Sequence, residues 1–172
     1  MLKIAAAVLA FICLTLFSIP MSAQLLPNGN VYGGVSYGQL SDATTKQSYR
    51  GWEGSAEVFP FTRMRHLGFV LDASGFYRAG VTQYSGLGGV RLSTNYGKWR
   101  PFIHGMAGIR HVNSNGFVYN PTVIDIGGGA DYKLWFKNFS WRMQGDLIHV
   151  RNQEEHAYPN DYRASTGVVW RF

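Results

Sequence analysis

Hydrophobic and polar residues alternate one by one along most of the chain after residue 30, and no segment there sustains a helical period. Because successive side chains of a strand point to opposite faces, each alternating run predicts a strand with one apolar and one polar face. Turn-rich stretches separate the runs. The pattern predicts eight strands, at residues 30–40, 49–59, 67–78, 83–94, 101–112, 122–135, 139–151 and 161–172.

The last predicted strand shows the alternation most clearly. Counted back from Phe172, the residues Trp170 and Val168 lie on one apolar face, while Arg171 and Arg163 lie on the other. An aromatic-tipped final strand of this kind is similar to the C-terminal signal of bacterial outer-membrane β-barrels. We therefore expect Val168, Trp170 and Phe172 to form an assembly signal.

The polar faces of the predicted strands carry ionisable residues of both signs in equal number. They are Glu53, Glu57, Asp72, Asp125, Asp131 and Asp146, with Arg91, Arg110, Lys133, Arg142, Arg163 and Arg171. A soluble barrel has the reverse pattern, with apolar residues inside and charges outside. A solvated face of a soluble sandwich is the alternative. We expect a paired charge network in a barrel lumen, because unpaired buried charges are costly.

The N-terminus has the pattern of a secretory signal peptide. Lys3 precedes an apolar run over residues 4–19, and small residues up to Ala23 suit cleavage. A membrane helix is the alternative, but the run is short for the roughly 20 residues that a span needs. We therefore divide the chain into a signal peptide, 1–23, and a barrel domain, 24–172. Cys13 leaves with the signal, which excludes disulfides and thiolate chemistry from the mature domain.

The net charge of +6 could suggest nucleic acid as a partner. The basic residues are scattered singly rather than in runs, and export argues against such a partner. The predicted interior also argues against a pore, because channels with an aqueous lumen need 16 or more strands. Twelve charged side chains, together with Tyr32 and Phe76, predict a plugged interior.

With both termini on the periplasmic side, the longer connections fall mainly on the outer side, as in exported barrels. The outer loops are predicted at 41–48, 79–82, 113–121 and 152–160, and the periplasmic turns at 60–66, 95–100 and 136–138. Aromatic side chains favour membrane interfaces. We expect a periplasmic belt of Trp99, Phe102, Trp135, Phe136, Phe139, Trp141, Trp170 and Phe172, and an outer belt of Tyr49, Tyr77, Tyr84, Tyr119, Tyr158 and Tyr162.

Candidate chemistry is sparse. The glycine runs 86–89 and 127–129 match no nucleotide fingerprint, and none of the five histidines has a metal-ligand spacing. His111 and His149 are expected at the outer rim, but neither is followed by the closely spaced Ser of a lipid A deacylase. Glu154-Glu155 could bind a divalent cation bridging lipopolysaccharide, although a solvated loop pair is commoner. We expect no catalytic residue, no cofactor and no metal site.

Three segments carry a resemblance to a known family. They are Tyr32–Gly38, Val123–Tyr132 and Gly167–Phe172. With the eight alternating runs, they resemble the small eight-stranded outer-membrane barrels of the outer membrane protein A or X type. The resemblance implies an all-β fold, an eight-stranded antiparallel up-and-down transmembrane β-barrel, in the outer membrane of a Gram-negative-type envelope.

The resemblance implies little about activity, because that family includes structural anchors, surface-interaction proteins and a few lipid-modifying enzymes. We expect a non-enzymatic barrel with a structural or surface-interaction role. Its expected partners are outer-membrane lipids, the barrel-assembly machinery and an extracellular ligand of the loops. The alternatives are an outer-leaflet lipid-modifying enzyme, of the lipid A deacylase kind, and a soluble lipocalin-like carrier.

Overall fold

The computed structural model describes residues 28–42, 45–60, 66–114, 116–151 and 160–172. The predicted signal peptide, 1–23, and Glu154-Glu155 lie outside these residues. The described residues contain no helix of the length and apolar character that a membrane-spanning helix needs. Their strands are β1 (Gly29–Asp42), β2 (Thr45–Val58), β3 (Leu67–Arg78), β4 (Val81–Ser93), β5 (Trp99–Ser114), β6 (Phe117–Tyr119), β7 (Thr122–Lys133), β8 (Phe139–Arg151) and β9 (Asn160–Arg171).

Eight of these strands close into an antiparallel barrel in which strands that follow each other in the chain are paired. The short β6 is the exception, since it pairs with β5 as an extension beyond the barrel wall, and β5 then pairs with β7. β1 and β9 pair along Asn30–Gln39 and close the ring. Closure satisfies the backbone groups that an edge strand would leave open, as a bilayer requires.

Side chains alternate between the lumen and the exterior as the sequence pattern predicts. On β3, Phe69 and Leu71 are 47% and 69% exposed, whereas Val70 and Asp72 are each 5% exposed. The exterior is apolar and the interior holds the charges, which suits a bilayer and not water. The predicted fold class, an eight-stranded up-and-down transmembrane β-barrel, is confirmed.

The strands at the outer end are longer than the alternation predicts. β1 and β2 pair as far as Asp42 and Thr45, inside the predicted loop 41–48. The predicted loop 113–121 contains the end of β5 and all of β6. The extensions of β1, β2 and β5 consist of polar residues, whose backbone hydrogen bonds form without apolar side chains. β6, in contrast, is apolar, but its three residues are too few to show alternation. The short loop after β3 is correct, and Gly80 supplies its left-handed residue at φ 76°.

The predicted aromatic belts need two corrections. Most of their members are exposed, including Trp99, Trp170 and Tyr162. Phe102 and Tyr49, however, are buried inside the barrel. The belts were predicted from closeness to a strand end, whereas strand parity decides the face. Each of the two residues belongs to the side chains of its strand that point into the lumen.

Candidate functional site

The lumen of the barrel collects the charged side chains, and the strand register decides which of them meet. Inward residues opposite each other on paired strands lie at the same level. Asp131 on β7 is opposite Arg142 on β8, and Asp146 on β8 is opposite Arg163 on β9. The lumen of an eight-stranded barrel is only as wide as its own side chains, so contacts also form across it.

The periplasmic end of the lumen contains a cluster of two acids and three arginines. Arg142 donates from Nε to Asp131 Oδ1 at 2.7 Å and from Nη1 to Glu57 Oε1 at 2.6 Å. Arg91 also binds Glu57, and Arg171 Nη2 donates to Asp131 at 3.1 Å. Each carboxylate in this cluster therefore has more than one cationic partner.

The middle of the lumen has the opposite balance, because one arginine serves four acids. Arg163 Nε lies 2.6 Å from Asp146 Oδ2 and 3.6 Å from Glu53 Oε2. Its Nη1 and Nη2 reach Asp72 at 3.2 Å and Asp125 at 2.9 Å. These acids come from β2, β3, β7 and β8, so one guanidinium joins four strands to β9.

Towards the outer end, the lumen is closed by one buried ion pair and by apolar side chains. Arg110 Nη1 donates to Asp161 Oδ2 at 2.5 Å. An apolar cluster of Leu40, Tyr49, Phe76 and Val81 lies at this end. A second apolar cluster extends to the levels of the ionic residues, since its Val70 is paired with Glu57 and its Met106 with Asp125. Its members are Val70, Leu87, Met106, Val123, Ile148 and Val150.

The structure places the twelve residues predicted for the lumenal network as follows. Ten are buried, namely Glu53, Glu57, Asp72, Arg91, Arg110, Asp125, Asp131, Arg142, Asp146 and Arg163. The side chain of Arg171 is 28% exposed but still binds Asp131. Lys133 is exposed at the end of β7, outside the network. It has the inward parity of Asp131, but it is the last residue of β7 and its side chain is exposed at the end of the strand.

The sequence reasoning missed two buried members of the interior. Asp161, the partner of Arg110, begins the inward-facing set of β9. His104 is one of the five histidines that show no metal-ligand spacing along the chain. It lies beside Asp125 and Asp146, which belong to other strands.

The three residues of the predicted assembly signal lie on the exterior of β9 and just beyond its end. Val168, Trp170 and Phe172 are between 42% and 49% exposed, and the rings of Trp170 and Phe172 are 5.2 Å apart. Phe172 also exchanges two backbone hydrogen bonds with Gly29. The terminal aromatic thus takes part in ring closure, while its role in assembly stays a prediction.

The rim histidines have partners other than serine. His111 Nδ1 lies 2.7 Å from Asn120 Oδ1, and His149 Nδ1 lies 2.9 Å from Asn160 Oδ1. Within the described part of the chain, neither imidazole is hydrogen-bonded to a hydroxyl that could act as a nucleophile. The geometry therefore offers no Ser–His pair at these two positions.

Comparison of the structure with known proteins identifies the architecture. Neisserial surface protein A (NspA) matches with a TM-score of 0.69 at 13% identity, over 84% of this chain and 97% of that one. The chain has the fold of the small outer-membrane β-barrels. The N-terminal β-barrel domain of Pseudomonas aeruginosa OprF matches with a TM-score of 0.60 at 16% identity, over 86% of this chain and 98% of that domain.

A third similar structure is Ail, the attachment invasion locus protein of Yersinia pestis. It matches with a TM-score of 0.56 at 13% identity, over 86% of this chain and all of Ail. Ail has also been solved in complex with the heparin analogue sucrose octasulfate. The sequence matches no family model, and a search of the curated proteins gave no match.

Proposed function

We propose that this protein is a non-enzymatic, non-conducting outer-membrane barrel with a structural or surface-interaction role. The proposal rests on one observation: ion pairs join side chains of different strands across the interior of the barrel. Arg142 and Arg163 are nearly inaccessible and each binds acids from more than one strand. Side chains that are joined across a lumen of this width leave little room for an aqueous pore, which supports the proposal.

Support for an anchoring role comes from the distribution of charge between the interior and the exterior. Seven of the ten acidic residues of the chain are buried in the lumen, which leaves Asp42, Glu154 and Glu155. The exposed cations of the described residues are Lys46, Arg50, Arg78, Lys98, Lys133, Lys137 and Arg151. Basic side chains beside a membrane attract anionic headgroups, so these residues favour lipids that carry phosphate at both surfaces.

The same charge pattern supports an anionic ligand at the outer end. Lys46, Arg50, Arg78 and Arg151 belong to the outer halves of β2, β3 and β8, close to the outer loops. Ail, which shares the fold, binds a sulfated heparin analogue. We propose that the outer loops of this protein likewise meet an extracellular partner. Assembly into the membrane is proposed to use the barrel-assembly machinery, which would read the aromatic end of β9.

Planar-bilayer recording of the purified protein tests the proposal. We expect insertion without a steady open channel, because the lumen is filled by joined side chains. A persistent conductance on the nanosiemens scale would show an aqueous pore and overturn the plugged barrel. Heat-modifiable migration on a gel confirms that the inserted protein is folded.

Two further measurements separate the alternatives. Lipid A mass spectra from cells with and without the protein are expected to be identical, whereas loss of an acyl chain would support the deacylase alternative. Fractionation is expected to find the protein in the outer membrane. Recovery from the soluble periplasm would support the carrier alternative, although an exterior with Leu71 and Ile103 more than 60% exposed is unsuited to water.

A further inference from the structure

We propose that His104, Asp125 and Asp146 form a binding site for one divalent metal ion inside the lumen, with Zn²⁺ as the expected ion. The ion would join β5, β7 and β8 in the middle of the barrel. The site belongs to none of the ion pairs that plug the periplasmic end, and it is independent of the proposed surface role.

The strand register creates the site. His104 on β5, Gly127 on β7 and Asp146 on β8 lie directly opposite one another across two paired strands. Because Gly127 has no side chain, His104 and Asp146 can meet above its backbone. A Cβ at this position would overlap both Asp146 Oδ1 and His104 Nε2. Asp125 is two residues from Gly127 and therefore points into the same space.

Three ligand atoms converge there. His104 Nε2 lies 3.1 Å from Asp146 Oδ1 and 3.7 Å from Asp125 Oδ1, and the three atoms lie within 4.8 Å of one another. Zinc bonds of about 2.0–2.2 Å in a tetrahedral arrangement separate neighbouring ligands by roughly 3.3–3.6 Å. The two distances from His104 bracket that value, and the two carboxylate oxygens lie within 4.8 Å of each other, so a metal ion fits between the atoms after side-chain movements.

The same three atoms are buried and face one another, with no hydrogen-bond partner outside the cluster in the described part of the chain. His104, Asp125 and Asp146 are 7%, 0% and 6% exposed. The other carboxylate oxygens are occupied, because Asp125 Oδ2 and Asp146 Oδ2 accept bonds from Arg163. Arg163 thus orients both carboxylates as an outer partner, with one oxygen of each left for a metal.

The net negative charge in the middle of the lumen also favours the binding of a cation. Glu53, Asp72, Asp125 and Asp146 share Arg163, and a neutral His104 leaves three negative charges uncompensated. Buried carboxylates without a positive partner are costly. A divalent ion lowers the excess to one, and it uses the imidazole as a neutral ligand.

The donor set selects the kind of ion. One imidazole nitrogen with two carboxylate oxygens suits borderline first-row ions such as Zn²⁺, whereas Mg²⁺ and Ca²⁺ prefer oxygen alone. Because the three ligands come from three neighbouring strands, the ion would hold β5, β7 and β8 together inside the lumen.

Metal content after refolding tests the site. The mature protein is refolded in detergent micelles with Zn²⁺, dialysed against metal-free buffer and analysed by mass spectrometry for zinc. We expect about one Zn²⁺ per chain, and loss of most of it in His104→Gln and in Asp125→Asn. The matched controls His111→Gln and His149→Gln, at the rim, should keep the full content. Zinc at background level in the unmodified protein would overturn the proposal, as would full zinc content in folded His104→Gln.

X-ray absorption at the zinc edge of the loaded, unmodified protein gives a readout that depends on no variant. We expect one imidazole and at least two oxygen ligands at about 2.0–2.2 Å. Two or more imidazoles around the zinc would indicate surface histidines, and an ion surrounded by oxygen alone would indicate adventitious binding. Either result would overturn the proposal, because His104 is the single histidine among the three ligands.

Discussion

Replacement of Arg163, in the middle of the lumen, should destabilise the barrel far more than replacement of Arg142, at the periplasmic end. Arg163→Met and Arg142→Met each replace a buried guanidinium by an apolar side chain that fills part of the same space. When Arg142 is removed, Glu57 keeps Arg91 as a partner and Asp131 keeps Arg171. When Arg163 is removed, Asp125 and Asp146 keep His104 nearby, whereas Glu53 and Asp72 lose the arginine that binds them.

The difference can be given a magnitude. Loss of Arg163 isolates buried charges, for which about 3–5 kcal/mol is typical. Loss of Arg142 removes hydrogen bonds from acids that keep a cation, for which roughly 1–3 kcal/mol is typical. The middles of these two ranges differ by about 2 kcal/mol, so Arg163→Met should lower the equilibrium constant for folding roughly 30-fold more than Arg142→Met, since 1.4 kcal/mol is a factor of ten.

Urea titration of the protein refolded in lipid vesicles measures this difference, with tryptophan fluorescence and heat-modifiable gel migration as readouts. EDTA in the buffer prevents a metal ion from replacing the lost charge. Lys133→Met, which removes an exposed cation of the same originally predicted set, is the control and should leave the midpoint unchanged. Equal midpoints for the two arginine variants would refute the assignment of one arginine to four acids.

The remaining predictions concern the exterior and the end of the chain. Leu71→Arg places a charge on the lipid face near mid-bilayer and should cost roughly 2–4 kcal/mol. Asp72→Asn should be much milder, because it keeps an oxygen for Arg163 and lowers the acidic excess; equal unfolding free energies in bilayers would contradict the face assignment. Phe172→Ala should reduce the amount assembled in the outer membrane more than the amount exported, as the ratio of membrane to periplasmic protein measures. A normal membrane yield would count against an assembly role.

Alternation along the chain was enough to predict the fold and most of the lumen. A strand has a period of two, so one clear anchor such as Phe172 decides the face of every residue in its strand. Parity gives the face of a side chain but not its depth in the barrel, which is why Lys133 was predicted for the lumen although it is exposed at the end of β7. Parity along the strand, and not closeness to a strand end, decides which face a side chain is on, as Phe102 shows.

The partners within the lumen could not be predicted. They depend on the stagger between strands, which no single run of residues records. Arg163 and Asp72 are 91 positions apart in the chain, and nothing in either segment points to the other. The cluster of His104, Asp125 and Asp146 likewise shows no metal-ligand spacing along the sequence, because its members come from three strands. Gly127 belongs to a glycine run that matches no nucleotide fingerprint, and only the register places His104 and Asp146 on either side of it.

The long separation of these partners also has a consequence for the order of events during folding. Arg163 meets acids of β2, β3, β7 and β8, and Arg142 on β8 meets Glu57 on β2. A partly inserted sheet of a few neighbouring hairpins therefore has its ionic side chains without most of their partners, and water must remain around them. These side chains can lose their hydration only as the two ends of the sheet come together. Insertion should thus be a single cooperative event whose late barrier is dehydration of the interior, and half-built barrels should not accumulate in the membrane.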